Sequence, residues 1–352
     1  MRKLVHGGDI YSKSHIENLL DLSANINPLK MPVKVKEAII NNIESYEAYP
    51  DPLCRELKHE LSKYHKISEE SIVCGNGAAD VIFRLILALK PKKALILAPT
   101  FAEYEEALKL SNAEIIYYDL KEELSFQVKD DILDLITEDL DIVFLCNPNN
   151  PTGIPLEKEK VLKLAAKCMD MSVNVIIDEC FSDFLEEEEK YSVVPCLQDY
   201  KNIFILKAFT KMYAMAGIRL GYGISFNKEL IQKVSGIGQP WSVSTVAQKA
   251  GVQALKEIEF VNKTKFIIKE NRQYLIKEIR TLGFKVYDSK VNYVLFKSSV
   301  KDLKLKLEKY GILIRSCSNY KNLDDSFYRI AVKSKEDCER FINSLKEIIK
   351  AG

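Results

Sequence analysis

Between residues 72 and 206 short unbroken apolar runs recur: Ile72 to Cys74, Ala94 to Leu97, Ile115 to Tyr118, Ile142 to Cys146, Val173 to Ile177 and Ile203 to Leu206. Stretches of helical periodicity lie between most of them, including Ala78 to Leu89, Phe101 to Leu110 and Leu156 to Cys168. Apolar strands alternating with amphipathic helices predict an α/β protein, with a mostly parallel central sheet covered by helices on both faces. Upstream, Val33 to Ser45 and Leu53 to Tyr64 are helical patterns separated by Tyr49-Pro50-Asp51-Pro52. Downstream, 243–282 is charged, free of proline and interrupted only weakly at Gly251, so it predicts one long connecting helix. The remainder alternates strand patterns (Phe284 to Tyr287, Tyr293 to Lys297, Ile312 to Ile314, Tyr328 to Val332) with helices near 301–309 and 335–349, as in a small α+β domain. The expected division is an N-terminal arm over 1–30, a large domain over 31–250 and a small domain over 251–352.

In a parallel sheet of this kind ligands bind beyond the carboxyl ends of the strands, so the polar residues that follow each run carry the chemistry. Pro99-Thr100-Phe101 follows one run, Asn147 to Gly153 (NPNNPTG) the next, and Asp178-Glu179 another. The last run leads into Lys211, eight residues before Arg219, with a small-residue turn at Ala214 to Gly217 between them and a second short strand expected over Ile218 to Gly223. A partly buried lysine near another cation has a depressed pKa and condenses with an aldehyde, while a guanidinium suits phosphate. Pyridoxal phosphate carries both groups. A carboxylate such as Asp178 would keep its ring nitrogen protonated, Asn150 would donate to its ring oxygen, and Phe101 would stack on its face. Gly75-Asn76-Gly77 lies between a strand and a helix start, where free N–H groups accept an anion, and would equally serve a tight turn. Asp80 stands where a dinucleotide fingerprint needs its third glycine.

Composition narrows the partners. With 352 residues, 47% hydrophobic, 29% charged and a formal net charge of +1, the chain has no general attraction for nucleic acid or anionic membranes, and a small molecule is the expected partner. The eight cysteines form no CxxC pair and several sit in apolar runs, which predicts reduced core thiols, no metal site and a cytoplasmic protein. Glu186 to Lys190 (EEEEK) reads as a solvated loop or helix end. Arg315 and Arg329 fall on or beside strands, where a buried guanidinium is costly unless it meets an anion.

Six motifs occur in an order that resembles the fold-type I pyridoxal-phosphate enzymes of the aspartate aminotransferase class: GNGAAD (75–80), PTFAEY (99–104), NPNNPTG, DECF (178–181), Thr210-Lys211 and GIRLGY (217–222). The resemblance spans the chain. It implies that Lys211 makes the covalent link to the cofactor, that Asp178 pairs with the ring nitrogen, Asn150 with the ring hydroxyl and Phe101 with the ring face. Gly77, Ala78 and Arg219 are the implied cofactor-phosphate side of the site, Thr210 is a further implied cofactor contact, and Tyr49 matches a tyrosine contributed across a homodimer interface. His6-Gly7-Gly8, LDLSANINP (20–28) and Gln239 to Val243 are similar to threonine-phosphate decarboxylases of the cobalamin pathway. Phe181 stands where histidinol-phosphate aminotransferases, the alternative, usually carry a tyrosine. The implied reaction is loss of carbon dioxide from O-phosphothreonine to give (R)-1-amino-2-propanol O-2-phosphate. His6, Gly7, Asn25, Asn150, Arg315 and Arg329 would hold the substrate. Two positions depart from the family pattern: Ala208 replaces a usual Ser or Thr, and Lys30 replaces a usual glycine.

Overall fold

The computed structural model describes residues 6–351. A first short strand, β1 (Leu20–Asp21), belongs to the N-terminal arm. The expected apolar runs become β2 (Ile72–Gly75), β3 (Lys93–Ala98), β4 (Glu114–Asp119), β5 (Ile142–Cys146), β6 (Asn174–Asp178), β7 (Ile203–Ala208) and β8 (Gly221–Ile224). They form one sheet in the order β2-β8-β7-β6-β5-β3-β4. All pairings from β7 to β4 are parallel, and β8 runs antiparallel to both β2 and β7. The central strands are buried along their whole length, which is why they read as continuous apolar runs with no alternation.

The C-terminal part supplies β9 (Lys285–Val286), β10 (Tyr293–Lys297), β11 (Ile312–Leu313), β12 (Arg315–Ser316) and β13 (Phe327–Ala331). Four of these make an antiparallel sheet, β12-β13-β10-β9, packed under the helices Ile258–Thr281 and Lys335–Lys350. The remaining strand, β11, pairs in parallel with β1 of the arm. Ala331 N–H donates to Leu22 O at 2.7 Å, which continues the tie.

Two expectations are corrected. The run 243–282 is two helices, Thr245–Ala254 and Ile258–Thr281, with Leu255 to Glu257 between them. The first packs its small residues on the large sheet's helices: a Cβ at Gly251 would come within 2.5 Å of Leu220 and 2.9 Å of Leu57. Its direction is set by that contact, and the second helix must turn away to reach the small sheet. The strand expected over Ile218 to Gly223 begins only at Gly221, because Arg219 takes φ +62° and turns the chain.

The charge run at 186–190 is likewise more than a solvated loop. Glu186 pairs with Arg272 and Lys269, both at 2.8 Å, and Glu188 pairs with the buried Lys207 at 2.9 Å. Lys207 also meets Asp183 at 3.1 Å and Glu179 at 3.7 Å, and donates to Ser182 Oγ at 2.9 Å. A lysine four residues before Lys211 is thus the centre of a buried ion cluster. Its amine is held well above its usual value by these carboxylates, against the cost of burial.

Candidate active site

A cavity of about 370 Å³ opens at the carboxyl ends of β5, β6 and β7. The arm brings His6, Gly7 and Asn25 to it, the large sheet brings Ala78, Phe101, Asn150, Asp178, Thr210, Lys211 and Arg219, and the small sheet brings Arg315 and Arg329. Gly77 lies one residue outside the lining, against Arg219. Tyr49 is the exception. It lies on the surface, 80% exposed, stacked on Trp241 with ring centroids 4.6 Å apart.

Lys211 follows β7 in a one-turn helix, Phe209–Met212, so the strand fixes its amine above the sheet. Burial lowers its pKa to about 8, assisted by Arg329 and Arg219 and opposed by Cys180 and Asp178. A lysine so placed is a nucleophile near neutral pH. Asp178 ends β6. Its Oδ1 accepts the Cys180 N–H at 2.9 Å and its Oδ2 accepts the Tyr104 hydroxyl at 2.6 Å. Tyr104 is fully buried, stacked on Phe144 and edge-on to Phe101.

Between β2 and the helix Ala78–Leu89 the backbone closes on Arg219. Gly77 has φ +85°, and a Cβ there would lie 2.5 Å from Arg219 Nη2. A Cβ at Gly221 would lie 2.2 Å from Ala78 N. Glycine at both positions lets the helix start, its free N–H groups and one guanidinium converge, which is an anion cradle. Ala208 lines the same cavity with a methyl where a hydroxyl would offer a further donor.

The small sheet faces this cradle. Arg315 and Arg329 are directly opposite in the β12–β13 ladder. Arg329 donates to Asn150 Oδ1 and to Ser23 O at 3.0 Å, while its Nε is buried without a partner. Arg315 lies over the Tyr320 ring at 5.4 Å and donates to Asn319 Oδ1 at 2.5 Å. Asn25 Oδ1 is a second buried atom without a partner. Like charges directly opposite on a sheet repel. Together with the orphaned Nε, this marks the wall as built for an anion.

Gly7 packs on Ser23, which its Cβ would strike at 2.1 Å, and Gly8 N–H donates to Ser23 Oγ at 2.7 Å. His6 reaches across the cavity mouth to Glu103, 2.6 Å away, with its ring 5.7 Å from that of Phe101. Sequence reasoning did not single out Tyr104, Glu103 or Tyr320. The first two lie inside the PTFAEY motif, so that motif marked the place without marking the side chains. Among the described residues no group of His, Cys, Asp or Glu has the arrangement of a metal site.

A mixed seven-stranded sheet that presents a buried lysine, an aspartate and a glycine–arginine cradle at one edge defines a fold-type I, lysine-centred enzyme. The chain belongs to the aminotransferase class I and II family, whose model matches residues 17–345. It is 37% identical to the threonine-phosphate decarboxylase of Salmonella typhimurium, over 98% of this chain and 96% of that protein. It is 31% identical to the histidinol-phosphate aminotransferase of Methanosphaera stadtmanae, over 95% and 91% respectively. Among solved structures, the histidinol-phosphate aminotransferase from Clostridium acetobutylicum superposes with a TM-score of 0.89 at 34% identity, covering 95% of this chain and all of that one.

Proposed function

We propose that the chain is a pyridoxal-phosphate-dependent decarboxylase of L-threonine O-3-phosphate, producing (R)-1-amino-2-propanol O-2-phosphate for cobalamin biosynthesis. The observation that carries the reading is the opposed pair Arg315 and Arg329, facing Lys211 across one cavity. It fits a substrate bearing a phosphate and a carboxylate, and the full-length likeness to a threonine-phosphate decarboxylase supports the same substrate class.

The residues fit the cofactor. A buried amine of lowered pKa, a carboxylate aimed into the cavity and a cradle that any Cβ would fill match an aldehyde, a pyridine nitrogen and a phosphate. Pyridoxal phosphate, when bound, supplies an electron sink for the pair left on the α-carbon as carbon dioxide departs. Asp178, fixed by Cys180 and Tyr104, would hold a proton at the ring nitrogen. Asn150 donates to the ring oxygen and Phe101 covers the ring. Gly77, Ala78, Thr210 and Arg219 hold the cofactor phosphate. Arg329, Arg315, Asn25, His6 and Gly7 would bind and orient the phosphate and carboxylate of the substrate. Lys211, whose amine lines the same cavity, would hold the proton needed at the α-carbon.

The enzyme is a cytoplasmic homodimer in this reading. Tyr49 and Trp241 are exposed together, with Ile40, Ile43 and Leu53 also exposed on neighbouring elements. Such a patch suits a second copy, through which Tyr49 reaches the partner's cofactor phosphate. No helix among the described residues is long and apolar enough to cross a membrane.

The test is incubation of holoenzyme with O-phospho-L-threonine and no 2-oxo acid. Sustained release of carbon dioxide, abolished in Lys211→Ala, is expected. Absence of release, with amino-group transfer from histidinol phosphate once 2-oxoglutarate is added, would establish the aminotransferase alternative instead.

A further inference from the structure

Two carboxylates, Asp178 and Glu103, are found among the described residues lining the cavity. Asp178 has its place at the cofactor ring. Glu103 stands at the start of the helix Glu103–Leu108, on the large-sheet side of the mouth. A carboxylate facing cations that await an anion weakens that anion's binding by like-charge repulsion, unless its own charge is committed elsewhere. Glu103 is committed: its Oε1 lies 2.6 Å from His6 Nε2, and its side chain is only 13% exposed against 47% for the imidazole. A contact of that length between an imidazole and a carboxylate is a strong, directional bond.

The contact also spans the mouth. His6 belongs to an arm fastened to Ser23 by Gly7 and Gly8, and Ser23 is fastened through its carbonyl to Arg329. Glu103 belongs to the opposite rim, two residues after Phe101. One ring nitrogen of His6 is taken by Glu103, which leaves the other side of the ring as the face that a ligand can meet.

Resting on the phospho-amino-acid reading above, we propose that Glu103 is a specificity-determining positioning residue. It orients His6 across the cavity mouth so that the imidazole binds the substrate phosphate, and it does not itself touch the substrate. A carboxylate that fixes one histidine nitrogen to aim the other is a general device wherever histidine binds a ligand.

The test is a double-mutant cycle on holoenzyme with His6→Ala, Glu103→Ala and the double variant. The Kd for O-phospho-L-threonine and for unphosphorylated L-threonine is read from the cofactor's absorbance change, and kcat and KM from carbon dioxide release. Loss of one charge-assisted bond weakens phosphothreonine binding about 10- to 100-fold in either single variant. The double variant loses no more than His6→Ala alone, KM for phosphothreonine rises in step with Kd, and threonine binding is unchanged. Additive losses, equal losses for threonine, or tighter phosphothreonine binding in Glu103→Ala would each overturn the proposal. Should Glu103→Ala not fold, Glu103→Gln replaces it in the same cycle, with a smaller loss in the same direction. If wild type binds phosphothreonine without releasing carbon dioxide, the decarboxylase reading fails, while the role of Glu103 is still decided by the Kd values.

Discussion

Replacing Arg329 by Met tests how the cavity prepares Lys211. The amine is lowered from an ordinary 10.5 to about 8, first by burial, then by Arg329 ahead of Arg219. At pH 7.5 about a quarter of such amines are neutral, against about one in a thousand for an ordinary lysine, so the site gains roughly 200-fold in nucleophile. Met at 329 keeps the burial and removes the first-ranked charge, so the midpoint rises from about 8 toward 10.5 without reaching it. The assay strips the cofactor and follows the initial rate at which the apoenzyme captures pyridoxal phosphate, trapped by borohydride, as a function of pH. Stability gives an independent check. Because the folded pKa lies below the unfolded one, the group destabilises the fold fully below about pH 8, and that cost disappears as pH rises toward 10.5. A wild-type midpoint near 10.5, or a midpoint unmoved in Arg329→Met, would refute the reasoning.

Ala208→Ser restores a hydroxyl facing the cofactor-phosphate side. One bond to a charged acceptor is worth about 1.5–3 kcal/mol, so the Kd for pyridoxal phosphate should fall at least tenfold; an unchanged Kd in equilibrium dialysis would remove Ala208 from the phosphate site. Lys207→Met strands Glu179, Asp183 and Glu188 without their shared cation and should cost about 3–5 kcal/mol, read as a loss in denaturant midpoint. Lys207 is also the first cause holding Glu188 at about 2, below the usual 4.5. That contribution is present above pH 4.5 and is lost as pH falls through about 2, so acid denaturation of wild type should steepen there and that of Lys207→Met should not. Gly77→Ala drives a Cβ toward Arg219 at φ +85° and should weaken cofactor retention with little change in overall fold by circular dichroism.

The large sheet was legible because its strands are buried on both faces and the candidate site residues follow them directly: Asn150 after β5, Asp178 at the end of β6, Lys211 after β7. Local pattern and site coincide there. The two-helix break near Leu255 was not legible, since no proline or glycine sits at 255–257 and the cause is the packing of Gly251 against Leu57 and Leu220. Charge at 186–190 misled for a related reason. Polarity along the chain cannot report that Lys207, buried on β7, waits opposite. Tyr104 and Glu103 sat inside a motif already singled out, but their roles depend on partners 74 and 97 residues away.

That distance has a mechanical consequence. The arm is hydrogen-bonded to the small sheet through β1–β11, through Ala331 to Leu22 and through Arg329 to Ser23. It meets the lysine loop through Asn27, whose side chain donates to Met212 O at 2.6 Å and to Thr264 Oγ1 at 2.9 Å. Asn25, Arg315 and Arg329 therefore form one unit with the small sheet, while His6 is also held to the opposite rim by Glu103. In the proposed function Lys211 and Asp178 serve the chemistry at the α-carbon whichever substrate is present. The small-sheet unit, in that same function, decides which bond at the α-carbon is presented for cleavage. A change of anchor on that unit should redirect the reaction without touching the lysine, whereas a change at β6 or β7 should slow every reaction alike.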